Sequence, residues 1–468
     1  MPRLAQFSML LRVLLVFPIV YRHSVSTMLL RHILSKAGAA LAIMLIACFA
    51  DAGTPCVPQW DPSIGTPGLD GEVLAATIDL NGNLITGGKF LSSGALALNY
   101  IARWDGTQWL AIGGGFDNEV DALALFGNDL YAGGVFTVAG GVAAPRVARW
   151  DGVQWGPAGG GFDNKVLALG VSSISGAPRL YAGGLFASAD GAIAKRIAAW
   201  DGAAWSPLGS GITTPGGQSA VNVIAEVDLG GGPVLVAGGA FTVAGGQFAS
   251  NIAAWDGATW TPMGSGLDGA VHALAVFDDG SGPALYVGGA FDVAGGVQAR
   301  RVARWDGASW SAVGGTGSWG IGSTVRSLEV FDEGAGPVLI AGGDFLKADD
   351  ASVLRLAKWD GAQWSPALGG ADARVSMLLA DPNDPAGRLY AGGVFGSVEG
   401  VSANAVGARI GCQTVGVTGD LNGDGVVDTA DLGVLIANFG TSDPTSDINN
   451  DGIVDTADLG VLIANFGP

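Results

Sequence analysis

Hydrophobic and polar positions alternate along most of the chain in short segments broken by glycine and aspartate. Residues 120–126 alternate after a turn at Asp117-Asn118, 130–136 run apolar up to a glycine pair, and 146–150 alternate again. Asp151-Gly152 then makes a two-residue hairpin into a segment holding Trp155. This pattern predicts four short antiparallel strands. Two other stretches follow different rules. Residues 37–50 form one unbroken apolar run, and residues 432–439 and 459–466 place Leu, Ile and Phe at i, i+3, i+4 and i+7, which predicts two short amphipathic helices.

The four-strand unit recurs. A motif (A/T/V)-G-G-x-F ends at Phe90, Phe136, Phe186, Phe241, Phe291, Phe345 and Phe395, at intervals of 46, 50, 55, 50, 54 and 50 residues. Trp-Asp-Gly-x-x-Trp follows six of the seven, from Trp104/Trp109 to Trp359/Trp364. A β-rich period near 50 predicts a mainly β fold, a seven-bladed β-propeller of four-stranded blades. The glycine pairs mark close backbone approach, and the tryptophans fill the wedge between neighbouring blades. The seventh unit lacks the Trp motif. The stretch from Trp60 to Val73 matches the one from Trp260 to Val271, so the N-terminal strand is expected to complete the last blade and cover both free edges. Cys56 and Cys412 flank that closure and are expected to form a disulfide.

These features together, diglycine ending strand two, an aromatic in strand three and Trp in strand four, resemble the kelch repeat of galactose-oxidase-type propellers over about residues 56–412. The resemblance implies the fold and not an activity, because propellers host enzymes and passive binders alike.

The chain has 468 residues with a net charge of −19, and charged residues make up only 14%. So acidic a balance argues against nucleic acid as a partner. Residues 28–52 read as a secretory signal, with Arg31, His32 and Lys36 ahead of the apolar run and Ala50-Asp51-Ala52 at the cut. Residues 1–27, with a short run from Met9 to Val20, read as sequence upstream of the true start codon. Leu45-Ile46-Ala47-Cys48 keeps open the alternative of a lipoprotein anchored at Cys48. Neither apolar run reaches the length of a membrane span, so the mature chain is expected to have none. Secretion or cell-surface display outside a bacterial cell is the expected location. The mature chain would carry 18 basic and 41 acidic residues and a single histidine, His272.

From Gln413 onward there is no Lys, Arg or Glu, but nine Asp. Asp420, Asn422, Asp424, Asp428 and Asp431 occupy positions 1, 3, 5, 9 and 12 of a calcium loop, with Gly425 at 6 and the Val426 carbonyl at 7. Asp447, Asn449, Asp451, Ile453, Asp455 and Asp458 repeat it 27 residues on. Two calcium ions are the expected cofactors, because a hard cation takes six to eight oxygens and relieves the crowding of carboxylates. The tandem loops, Asp at position 12 and the missing entering helix resemble a type I dockerin over about 419–468. That resemblance implies a cohesin-like partner. Residues 427–440 and 454–467 are identical, which in dockerins gives two near-equivalent faces, here with Thr429-Ala430 and Thr456-Ala457 at the partner-reading positions. Ile436 and Ile463 depart from the basic residues many clostridial dockerins carry there.

The expected organisation is an extension and signal over 1–52, a propeller over 53–412, a linker over 413–418 and the dockerin-like domain over 419–468. Copper oxidation of the galactose oxidase type needs two His ligands and is excluded, and His272, at a strand position where other repeats carry Asp121 or Leu167, reads as a tolerant strand residue rather than the base of a Ser-His-Asp or Cys-His nucleophile. No catalytic residue is assigned. Asp70, Asp117, Asp163 and Asp268 recur before strand one and read as turn formers. The insertions at 213–219 and 316–323 fall on one face, where Trp319 is a candidate to meet a polysaccharide or cell-surface ligand. The expected function is a noncatalytic binding or scaffold protein attached through the calcium module. The alternative is a dockerin-bearing glycoside hydrolase or lyase in polysaccharide catabolism, using carboxylates on a propeller face.

Overall fold

The computed structural model describes residues 59–314, 320–334, 336–384, 387–410, 419, 421, 427–441, 443, 446–449 and 452–466. These fall into two compact units, 59–410 and 419–466. The signal segment, Cys48, Cys56, Cys412, Trp319, and the predicted ligands Asp420, Asn422, Asp424, Val426 and Asp451 lie outside the described residues.

The larger unit is mainly β and propeller-like, built from four-stranded antiparallel sheets, one per repeat. In the second repeat the strands are Val120–Phe126, Asp129–Gly134, Val147–Trp150 and Trp155–Pro157, paired in chain order. The Asp151-Gly152 hairpin sets Trp150 opposite Trp155. In the last sheet, Val375–Asp381, Arg388–Gly393 and Val406–Ile410 are joined by Gln59–Asp61 from the other end of the unit, with Trp60 opposite Arg409. The expected closure by the N-terminal strand is therefore present in the hydrogen-bond ladder.

Three contacts tie consecutive sheets together, and each of them runs round to its start. The first strands of consecutive sheets lie side by side, and Val375–Asp381 lies against Val73–Ile78. The first glycine of each pair seats the opening valine of the next repeat. A Cβ on Gly133 would come within 2.6 Å of Val166, and one on Gly392 within 2.7 Å of Val73. Finally, each strand-four indole N–H donates to a carbonyl of the preceding repeat. Trp109 bonds Ile64 at 3.0 Å, Trp310 bonds Met263 at 2.8 Å, and Trp60 bonds Leu368 at 2.9 Å. The Trp pairs pack at 5.0–5.6 Å between ring centroids, within the range of favourable tilted aromatic contacts. Burying an indole satisfies its N–H and a carbonyl that has left its own ladder.

Every first strand also shifts register just after its valine, as between Val120 and Ala122. Such a bulge re-aims the extra residue. Here it frees Asp121 and its equivalents from the sheet pattern, which matters below.

The smaller unit holds two helices, α1 (Thr429–Ala437) and α2 (Thr456–Ala464). Its core is Val427, Leu432, Leu435, Val454 and Leu462. The two identical segments are not used identically: Ile436 and Phe466 pack on this core, whereas Phe439 and Ile463 are exposed.

Candidate functional site

In the smaller unit, the described part of each calcium-type loop ends as a helix start. Asp428 and Asp455, at loop position 9, are the N-caps of α1 and α2 and accept from the backbone N–H of Ala430 and Ala457 at 2.6 and 2.7 Å. Asp431 and Asp458, at position 12, are fully buried and reach back to the Asp428 and Asp455 N–H groups at 2.8 Å, completing reciprocal caps. Their other oxygens accept from Leu421 and Asn449 N–H at 2.7 and 3.0 Å. Burial would raise the Asp458 carboxyl, but the surrounding backbone N–H donors outweigh it and hold the group below its ordinary value. Asp447 accepts from Gly452 N–H at 2.8 Å, which folds the second loop back on itself. Among the described residues no three His, Cys, Asp or Glu side chains form a group of metal-holding geometry. The donor set is nonetheless all oxygen and mostly anionic, which suits calcium.

The larger unit brings together a set of residues that the repeat motifs do not reveal. Three columns flank the axis at one end of the first strands: the residue before the opening valine, the residue after it, and the one following the glycine pair. Around the cycle these columns carry different side chains, and they meet across repeats. Lys165 Nζ bonds Asp121 Oδ1 at 2.8 Å and approaches Glu119 Oε2 at 3.7 Å. Lys89 Nζ lies 3.9 Å from the same Glu119 oxygen and bonds Glu72 Oε2 at 2.9 Å. Glu72 Oε1 accepts from Arg374 Nη1 at 3.1 Å and from Ser376 Oγ at 2.7 Å. Arg374 Nε donates to Asp344 Oδ1 at 2.8 Å, and Arg326 Nε donates to Asp344 Oδ2 at 2.7 Å. Beyond Arg326 stand His272 and then Asn222, whose Nδ2 bonds the Val271 carbonyl at 2.9 Å.

The chain of contacts thus visits all seven repeats, with four acids and four permanent cations alternating through most of it. Its electrostatics follow from burial and partner number. Glu72 is nearly buried, yet the Ser376 and Lys89 hydrogen bonds and the Lys89 and Arg374 charges hold its carboxyl below the ordinary range. Asp344 is held down in the same way by Arg326 and Arg374. Burial outweighs the Lys165 hydrogen bond and charge at Asp121, with Glu119 opposing and the Lys89 charge a smaller help, and pushes its carboxyl up to about 6. Asp121 Oδ2, like Glu119 Oε2, is buried and has no hydrogen-bond partner among the described residues. Burial, then the Arg326 charge, pushes the His272 imidazole down, which favours the neutral ring.

Other sequence candidates have structural roles. Asp70, Asp117 and Asp163 each accept from two backbone N–H groups of the loop between strands two and three, such as Thr137 and Val138 at 2.8 and 3.0 Å from Asp117. Asp268 does likewise, through the N–H groups of Asp292 and Val293. They are clamps between loops 20 or more residues apart rather than local turn formers, and none belongs to the axial ring. His272 does belong to it. The signal for the ring was present as three columns that vary while everything around them repeats.

No protein-family model matches the chain, and no curated protein matches it. Among solved structures it is similar to the extracellular domain of the hybrid two component system BT4673 from B. thetaiotaomicron, at 10% identity and TM-score 0.48, over 75% of this chain and 40% of that one. It is similar to the computationally designed Ika8 protein at 16% identity and TM-score 0.41, over 73% and 96% of the two chains. It is similar to BBS1N, solved in complex with ARL6DN, at 11% identity and TM-score 0.42, over 76% and 96%. Likenesses this distant say nothing of what this chain binds.

Proposed function

We propose that the chain is a secreted or cell-surface protein whose seven-bladed β-propeller, over 53–412, binds a ligand at its axial mouth without transforming it. A dockerin-like module over 419–468, folded around two calcium ions, attaches it to a cohesin-like partner. The observation that carries the binding reading is the axial ring. Packing demands the glycines, valines and tryptophans in every repeat, but it does not demand eight ionised side chains at one end of the axis. Most of the ring's carboxylates are held by cations of the wall, which makes a rigid, preorganised surface and leaves little free acid or base. Support for the attachment reading comes from the two loops, whose position-9 and position-12 carboxylates converge at helix starts.

A glycoside hydrolase or lyase is the second reading. Asp121 favours it, because a carboxyl near 6 beside a second carboxyl, Glu119, has the form of an acid and base pair. The full chain, immobilised with calcium or with chelator, tests the attachment against envelope and secreted proteins of the source organism. A cohesin-like protein retained only with calcium, and lost from D431A/D458A, supports it. Retention of no such protein while the tail still folds with calcium removes the docking role.

A further inference from the structure

The ring is balanced in number, four acids against four cations, but not in what it shows to solvent. Every cation is more exposed than the acid it is hydrogen-bonded to. Lys89 exposes 48% of its side chain and Arg374 36%, whereas Glu72 exposes 8%; Lys165 likewise stands more open than Asp121, at 9%. Glu72 and Asp121 are buried beneath their cations, while Glu119 and Asp344 stay half-open at 26% and 27%, less exposed than Lys89, Arg326 and Arg374. A ligand arriving along the axis therefore meets more positive than negative charge, most of it from Lys89 and Arg374 of repeats one and seven.

The remaining arc is different. Repeats four and five place Ala220, Ala240, Ala270 and Ala290 in the columns before the valine and after the glycine pair, with neutral Asn222 and His272 between them. Small uncharged residues there leave room for the body of a ligand and give hydroxyl groups neutral hydrogen-bonding partners. The whole chain is strongly acidic, with a net charge of −19. At physiological salt, charge is screened beyond about 8 Å, so a compact anion at the mouth feels mainly the ring side chains nearest it. A long polyanion spreading over the face would feel the rest.

We infer that the axial mouth takes a small polyhydroxylated acid, an acidic sugar residue whose single oxyanion sits over Lys89, Arg374 and Lys165 while its uncharged body lies toward Ala240 and Ala290. The inference rests on the proposed reading of the mouth as a binding site and names the ligand class for it. Attraction between exposed charges is modest in water and larger where walls exclude solvent, so specificity comes from cations fixed in place by the buried Glu72 and Asp121 rather than from affinity alone.

Calorimetric titration of the full-length protein, with calcium, tests this with four probes: galacturonate, its neutral methyl ester, galactose and inorganic sulfate. Galacturonate is expected to bind at least tenfold more tightly than either neutral sugar, and K89Q/K165Q to weaken it tenfold or more. Lys89 is surface-exposed and Glu72 keeps Arg374 and Ser376 without it, so the single variant K89Q serves if the double variant unfolds; thermal unfolding checks both. Binding of sulfate in place of galacturonate, equally sensitive to K89Q, keeps the oxyanion site and moves its source to sulfate esters. Equal binding of galactose and galacturonate overturns the anion inference while leaving the mouth a binding site. Absence of binding by all probes at about 20 mM, twenty times a weak Kd of about 1 mM, overturns both.

Discussion

Replacing Trp60 with Phe isolates the closure of the larger unit. Trp60 sits in the short strand Gln59–Asp61, 4% exposed, and its indole N–H donates to the Leu368 carbonyl at 2.9 Å. Phenylalanine keeps an aromatic ring against Arg409 and loses that donor. Leaving a buried carbonyl without a partner costs about 1–3 kcal/mol. The smaller ring adds roughly 1 kcal/mol of lost apolar contact. The expected total is about 2–4 kcal/mol, read as a fall in the urea midpoint with calcium present. Trp310 is the control. It makes the equivalent bond to the Met263 carbonyl at 2.8 Å from within an uninterrupted repeat, but that carbonyl also accepts from Gly266 N–H, so W310F strands no carbonyl and is expected to cost roughly 1–2 kcal/mol. The reasoning fails if W310F shows its full cost and W60F less than about 0.5 kcal/mol, a surface-like value. The N-terminal strand would then not hold the last sheet in solution.

Two further outcomes follow from the electrostatics. Glu72 gathers Lys89, Arg374 and Ser376 in a nearly buried position; E72A leaves Arg374 with Asp344 and the half-exposed Lys89 without its bonded acid, and is expected to destabilise by about 1–2 kcal/mol, measured by the same denaturant midpoint; K89Q, on the exposed side of the pair, is expected to cost under about 1 kcal/mol. Glu329 is pushed up by burial to about 7 from an ordinary 4.5. Because the folded state holds this proton more tightly than the unfolded one, the group's contribution to stability falls as pH rises from about 4.5 to about 7. E329Q removes the titration, so the stability difference, variant minus wild type, should grow by on the order of 2–3 kcal/mol over that window. A flat difference across the window refutes the buried, proton-holding state.

The repeat made most of the fold legible. Glycine pairs, Asp-Gly hairpins and spaced tryptophans are demanded by the same packing in every unit, so they recur, and recurrence is what a single sequence can display. The N-terminal strand was legible for the same reason, since Trp60 and its flank copy Trp260. The axial ring was not, because its members differ from repeat to repeat: Glu72, Glu119 and Lys165 share one column, and Leu74, Asp121 and His272 another. Read singly, His272 is one polar residue in a tolerant position. Only the bulge and the cyclic order bring it beside Arg326 and Asp344. The aspartates before strand one were legible as structural, but their partners lie on a distant loop, beyond what local turn chemistry shows. In the tail, two identical segments expose different residues, Phe439 in one and Ile463 in the other, which the sequence of either segment alone does not show.

The reading of the tail as an attachment device depends on its metal. Titration of calcium into the chelator-treated full chain by calorimetry should show two equivalents bound, falling to one in D431A and in D458A and to none in the double variant. Loss of an anchoring carboxylate also removes a helix cap, so far-ultraviolet circular dichroism should rise with calcium in the wild type only where the titration shows binding. Two calcium ions per chain, abolished by D431A/D458A, is the predicted result. No calcium bound to the wild-type chain, or binding unchanged in the double variant, would contradict the account.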